Sequence, residues 1–140
     1  MGRELLLDTG GLIALLDRSE RHHAACRAAY EDWDGPVVST EAVVTEATHL
    51  VSRIPSGREA CLGFFLAGGA RLVPQSTSGL ERCQRLISKY SDRPMDYADA
   101  TLVVLAEDLR SDAILTLDHD FEIYRLFGRQ PFRRLPSAGN

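Results

Sequence analysis

Four acids stand where the surrounding pattern calls for an apolar residue or for none: Asp8, Glu46, Asp99 and Asp118. Asp8 ends the run "ELLLD" and Asp118 ends "DAILTLD", so each closes an apolar strand. Glu46 lies in "TEAVVTEATHLV", beside the helical stripe of Val43, Ala47, Leu50 and Val51. Asp99 opens "YADATLVVLA" and shares a face with Val103 and Ala106. A carboxylate on an apolar face must be paired, bound to metal or protonated. A carboxylate cluster without cysteine or paired histidines is a hard-oxygen site, suited to Mg²⁺ or Mn²⁺. Without the ion, mutual repulsion would raise some of the carboxyl pKa values. With it, such a cluster can activate a water and steady a leaving oxygen, as phosphodiester hydrolysis requires.

Each acid has an ordinary reading as well. Asp8 and Asp118 could be turn residues after strands. Asp96 and Asp99 could be the N-cap and first-turn acid of one helix, and capping alone accounts for Asp96. Glu46 could pair with Arg53. What these readings explain poorly is four such acids directed to one end of one sheet. Other chemistries also touch these residues. "DTGG" opens like an aspartic peptidase, but that chemistry needs two aspartates sharing a proton on a largely β scaffold. "EATH" is half of a di-iron set with no second copy. "DHDF" is similar to phosphatases with an aspartyl nucleophile, yet Glu122 stands where their pattern has threonine. His22, His23 and His119 lack ligand spacing and read as surface residues. His49 reads as a neighbour of the acids or a surface residue.

The elements that would position the acids alternate in type. "LLL" is a strand buried on both faces, and "GLIALLD" turns helical. "SERHHAACRAAYEDW" reads as a helix capped by Ser19 and broken by Gly35-Pro36. "PVVS" is a strand, after which Ser39 or Thr40 caps a helix reaching about Arg53. Ser56/Glu59 and Ser78/Glu81 have capping-box spacing, with the short strand "ARLVP" between them. "MDYADATLVVLAEDL" is a helix apolar almost all round, hence a core helix. "DAILTLD" is a strand, "FEIYRLF" a brief helical turn and "FRR" a last edge strand. This order predicts an α/β fold with a mainly parallel central sheet and helices on both faces. Residues 1–135 form a single domain, and the tail "PSAGN", residues 136–140, is expected to be disordered.

The 140 residues suffice for one ordinary core, and 44% apolar with 26% charged residues describe a folded globular chain. The formal charge of -4 argues mildly against a strong nucleic-acid binder, subject to where the charges lie. Cys26, Cys61 and Cys83 form no CxxC pair and fit free thiols in a reducing cytoplasm. No signal peptide or membrane span is expected.

Taken together, "LLLDTGGLIALLD", "VVSTEAVVTEATHLV", "MDYADATLVVLAEDL" and "ILTLDHDFEIYRL" resemble the PIN-domain ribonucleases, and within them the VapC-type toxins of bacterial toxin–antitoxin pairs. The likeness runs from Leu5 to about Leu126. It implies a PIN-like fold with an acidic pocket that binds Mg²⁺ or Mn²⁺ and cleaves single-stranded RNA. Asp8, Glu46, Asp99 and Asp118 match the four acidic positions of that family. The division of labour suggested is that Asp8, Asp99 and Asp118 hold the metal, while Glu46 ligates it or acts as general base. Asp96 and Asp120 match secondary positions that are acidic in some members. Thr9 and Thr116 match small hydroxyl positions that could hold a carboxylate or a water. The resemblance also implies homodimers and inhibition by a small antitoxin whose C-terminal segment covers the pocket. The main alternative is a non-catalytic RNA- or protein-binding module on the same fold.

From Ile123 to Asn140 there is no acid but four arginines, Arg125, Arg129, Arg133 and Arg134. Their guanidinium forks could meet RNA phosphates. A solvated surface, or pairing with the antitoxin or a second subunit, explains the same segment.

Overall fold

The computed structural model describes residues 2–137. Five short strands form the central sheet: β1 (Leu5–Leu7), β2 (Val37–Ser39), β3 (Arg71–Leu72), β4 (Ala113–Leu115) and β7 (Arg133–Leu135). Their order is β3-β2-β1-β4-β7, with every neighbouring pair parallel. Two further strands, β5 (Arg125–Leu126) and β6 (Gln130–Pro131), make a separate antiparallel hairpin.

The helices are α1 (Thr9–Leu16), α2 (His23–Asp32), α3 (Glu41–Leu50), α4 (Gly57–Leu66), α5 (Thr77–Lys89) and α6 (Tyr97–Leu109). From β1 the chain steps outward through β2 to β3, then returns across the sheet to β4 and β7. Right-handed crossovers in opposite directions place α1–α4 on one face and α5 with α6 on the other. The packing groups α1 with α2, α3 and α4, and α5 with α6, while α3 also touches α6. Strand order therefore reverses between β1 and β4, and a crevice opens at their carboxyl ends.

Leu5, Leu6, Leu7, Ile114 and Leu115 are fully buried, as continuous apolar runs in a two-sided sheet must be. Every residue of α6 from Ala98 to Ala106 is buried, so this helix is part of the core. Gly11 is required where α1 leaves β1: a Cβ there would stand 2.5 Å from the Leu115 carbonyl oxygen.

Several boundaries differ from the expected ones. Ser19 does not cap α2. Its N–H and hydroxyl both bond Asp17 Oδ1, at 2.9 and 2.6 Å, closing a local turn, and the helix begins after His22. Ser56 does stand at the N-cap of α4, but with a left-handed φ of 58° and no side-chain cap bond, because the chain turns sharply between α3 and α4. At α5 the cap is Ser76, whose Oγ accepts the Gly79 N–H at 3.0 Å, so Ser78 already lies within the helix. The α3 cap is Thr40, and the helix stops at Leu50 rather than near Arg53. "FEIYRLF" divides: His119–Glu122 is a 3₁₀ turn, and Arg125–Leu126 pairs in β5. "FRR" does open the edge strand β7, parallel to β4. Of the tail expected to be disordered, residues 138–140 lie outside the described residues. The three cysteines are free and buried. Among the described residues no helix is long and apolar enough to cross a membrane.

Candidate active site

Asp8 directly follows β1 and Thr116 directly follows β4, so the two meet at the strand-order reversal. The Asp8 N–H donates to the Leu115 carbonyl at 3.1 Å, and Thr116 Oγ1 donates to Asp8 Oδ2 at 2.7 Å. The same Thr116 oxygen accepts the Asp118 N–H at 3.0 Å. Asp118 Oδ1 in turn accepts the Asp120 N–H at 2.8 Å, which shapes the 3₁₀ turn that follows.

Two helices bring the other acids. Thr40 caps α3 and its hydroxyl meets that of Thr101 in α6 at 2.9 Å, tying the two helices together behind the site. Glu46 stands further along α3, half-buried. Asp96 caps α6 by accepting the Asp99 N–H at 2.8 Å, as the capping reading of that residue expects. Asp99 points inward and is 7% exposed, while Asp8 is 4% exposed. An open groove of about 510 Å³, lined by Ala42, Glu46, Asp96 and Tyr97 among others, gives access from solvent.

Burial pushes the Asp8 carboxyl up to about 6, with the Asp118 and Glu46 charges adding to the shift and the Thr116 hydrogen bond opposing it. Asp99 is pushed up to about 8, first by burial, then by the charges of Asp96, Asp8 and Asp118. Glu46 is raised by burial, with Asp96 and Asp118 adding repulsion and the nearby Thr9 hydroxyl opposing it. These mutual repulsions mean that the four acids and Asp96 lie close enough to act on one another's charge. Among the described residues, no lysine, arginine or histidine forms an ion pair with these three carboxyls.

An all-oxygen donor set carrying unrelieved negative charge fits Mg²⁺ or Mn²⁺. As the side chains stand, no three acidic, histidine or cysteine groups among the described residues close around one ion. An ion here would take one or two carboxylates directly and complete its shell with water, as Mg²⁺ commonly does.

The auxiliary residues divide. Thr9 Oγ1 is buried and near enough to Glu46 to favour its ionised form, but has no partner at full hydrogen-bond geometry. Asp120 lies 3.5 Å from Arg93 Nη1, so part of its charge is already met. Among the arginines, Arg125 Nη1 donates to the carbonyls of Glu122, Ile123 and Tyr124, and Arg134 Nη1 binds Glu122 at 2.6 Å. Both serve the local fold. Arg133 is exposed over the Trp33 ring and Arg129 is exposed, so these two remain available to a phosphate. His23 is not simply a surface residue, because its Nδ1 lies 2.6 Å from the Ala14 carbonyl. Tyr124, which sequence reasoning passed over, is fully buried with its hydroxyl 3.4 Å from Asp99 Oδ2. Only its place three residues after buried Phe121 hinted at an inward side chain.

A five-stranded parallel sheet with acids gathered at its strand-order reversal is the arrangement of a PIN domain, and residues 5–125 match the family model of that name. The chain belongs to the PIN domain family, and within it to the VapC type. It is 34% identical over 135 residues to Ribonuclease VapC26 of Mycobacterium tuberculosis, covering 94% of this chain and 100% of that one. Among solved structures, the fold is similar to Mycobacterium tuberculosis VapC20, described as a Sarcin-Ricin loop cleaving toxin. That match has a TM-score of 0.78 at 17% identity and covers 91% of this chain and 99% of the other. VapBC2 from Rickettsia felis, bound to a DNA fragment from its promoter, matches with a TM-score of 0.65 at 11% identity, over 94% and 98% of the two chains. A toxin-antitoxin complex from Klebsiella pneumoniae matches with a TM-score of 0.63 at 21% identity, over 82% and 87%.

Proposed function

We propose that this protein is a divalent-metal-dependent endoribonuclease, the toxin of a toxin–antitoxin pair, acting in the cytoplasm. The observation that carries the reading is that Asp8, Glu46, Asp99 and Asp118 lie within reach of one another's charge, with no ion pair to any of them among the described residues. Kinship with a ribonuclease at 34% identity supports it.

Bound Mg²⁺ or Mn²⁺ would lower the pKa of an attacking water and stabilise charge developing on the phosphate. Asp8 and Asp99, with Asp118 beside them, would hold the ion. Thr116 favours the ionised form of Asp8 that this requires and fixes which oxygen stays free. Glu46 faces the open groove, and its raised pKa brings it nearer neutrality, where a general base works best. It would accept the proton of the attacking water on a carboxylate oxygen. Asp96 orders the first turn of α6 and so sets the direction of Asp99. Arg129 and Arg133 would meet the RNA backbone. The partners are RNA, a cognate antitoxin and a second copy of the chain.

The test is cleavage of a panel of single-stranded and structured RNAs with Mg²⁺, with Mn²⁺ and with EDTA. Cutting that needs the metal supports the nuclease. RNA affinity lost on chelation, with no cutting under either metal, would favour the binding module instead.

A further inference from the structure

The chain between Asp118 and Tyr124 is short, and each end of it reaches the acid cluster. Asp118 enters from the end of β4. Six residues later, Tyr124 comes back beneath α6 and its hydroxyl donates to Asp99 Oδ2 at 3.4 Å. The ring has no freedom to swing away. Tyr90, the residue closing α5, packs against it at 5.0 Å between ring centres, and Phe121 from the 3₁₀ turn packs at 5.2 Å, both edge-on. Phe132 backs Phe121 at 5.4 Å. Tyr90 Oη also accepts the Arg125 N–H at 3.1 Å, which pins the backbone next to Tyr124. Three segments distant in sequence thus build an aromatic floor whose polar atom facing the acids is Tyr124 Oη.

We propose that Tyr124 is a positioning residue for the metal site: its phenol holds one oxygen of Asp99 and leaves the other to face the ion. This rests on the metal-dependent reading given above. An aspartate side chain turns about two torsions, and in a crowd of like charges repulsion favours turning it away. A donor fixed in a rigid floor removes that freedom. The bond is long for an O–H···O pair, so it locates the carboxylate more than it stabilises the fold. Partners of this kind, behind a metal's direct ligands, are worth roughly ten- to hundredfold in metal affinity. Phenylalanine at this position would keep the packing and lose the donor. The Asp96 backbone also favours the ionised Asp99 carboxyl, and among the described residues Tyr124 is the side chain that donates to it.

The experiment is calorimetric titration of Mn²⁺ into four full-length proteins: wild type, Tyr124→Phe, Asp99→Asn and the double variant. Thermal unfolding without metal checks that the aromatic floor survives. The expected result is roughly a ten- to hundredfold loss of Mn²⁺ affinity in Tyr124→Phe, with no further loss when the change is added to Asp99→Asn. A Tyr124→Phe protein that binds Mn²⁺ as tightly as wild type, or whose loss simply adds to that of Asp99→Asn, overturns the proposal and leaves the metal centre standing. If Tyr124→Phe fails to fold, near-ultraviolet difference absorption of the wild type on Mg²⁺ addition decides: a tyrosine signal saturating with the metal supports the contact, and a flat spectrum rejects it. Wild type that takes up no Mn²⁺ at all overturns the metal-dependent reading, and the role of Tyr124 with it.

Discussion

Thr116 Oγ1 donates to Asp8 Oδ2 at 2.7 Å while accepting the Asp118 N–H at 3.0 Å, so one hydroxyl joins the acids at the ends of two adjacent parallel strands. Because the oxygen's lone pair is engaged by the Asp118 amide, its proton is directed at Asp8. Thr116→Val keeps the shape and loses both bonds. Roughly tenfold or greater loss of Mn²⁺ affinity is expected, with Thr116→Ser close to wild type. Calorimetry on the two variants checks this.

The metal-free protein should lose stability as pH rises. Asp8 and Asp99 have pKa values raised by folding, to about 6 and about 8. A raised carboxyl means that the folded state binds the proton more tightly than the unfolded one, so stability falls with pH. The contribution is complete below about pH 4, then is lost as pH climbs through about 6 for Asp8 and about 8 for Asp99. For Asp8 alone it is on the order of 3 kcal/mol. Thermal melts from pH 4 to pH 9 in EDTA should show the decline. Mg²⁺ should reverse it, increasingly so at higher pH, because the ion binds the ionised carboxylates.

Glu46 and Asp99 should separate by role. Glu46→Gln is expected to lower kcat by roughly 10²–10⁴-fold, the worth of a general base, while Mn²⁺ affinity changes little. Asp99→Asn should weaken Mn²⁺ binding measurably and lose cleavage, and should stabilise the metal-free protein near pH 8 by removing a repelled charge. Equal metal affinity in Asp99→Asn and wild type would contradict this division.

Gly11 should resist substitution. Its missing Cβ lies 2.5 Å from the Leu115 carbonyl oxygen, the same oxygen that accepts the Asp8 N–H. Gly11→Ala must push α1 away from β4 at the point where Asp8 is held. A stability loss of roughly 1–3 kcal/mol in denaturant unfolding, with weaker Mn²⁺ binding, is the expected outcome.

The basic segment should act through only part of its arginines. Arg129→Ala/Arg133→Ala should flatten the salt dependence of RNA binding by about 0.7 in logarithmic slope for each phosphate that is no longer neutralised. Arg134→Ala should instead lower stability, since Arg134 holds Glu122 from a nearly buried position.

The alternation of strands and helices was readable in the sequence because "LLL", "PVVS" and "AILTL" are apolar runs too short for helices, while Ala98–Ala106 is too apolar to be anything but a core helix. The acids could be picked out for the same reason, as charges set against apolar faces. Cap positions were less legible. Ser19 and Ser78 have the right chemistry, but Asp17 and Ser76 decided where those two helices begin, while Ser56 holds its N-cap position without a side-chain bond. The β5–β6 hairpin was hidden because "FEIYRLF" carries both helical and alternating spacing, and only pairing with Gln130–Pro131 settles it. Tyr124 was hidden because its contact with Asp99 joins segments that share no local pattern.

The most direct measurement is the rate of RNA cleavage across a range of Mn²⁺ concentrations for wild type and Asp99→Asn, with an EDTA control. If the acids form one metal-dependent centre, the wild-type rate rises and saturates with Mn²⁺, vanishes in EDTA, and is absent from Asp99→Asn at every concentration. Cleavage that persists in EDTA, or an Asp99→Asn protein that cuts with the wild-type dependence on Mn²⁺, would contradict it.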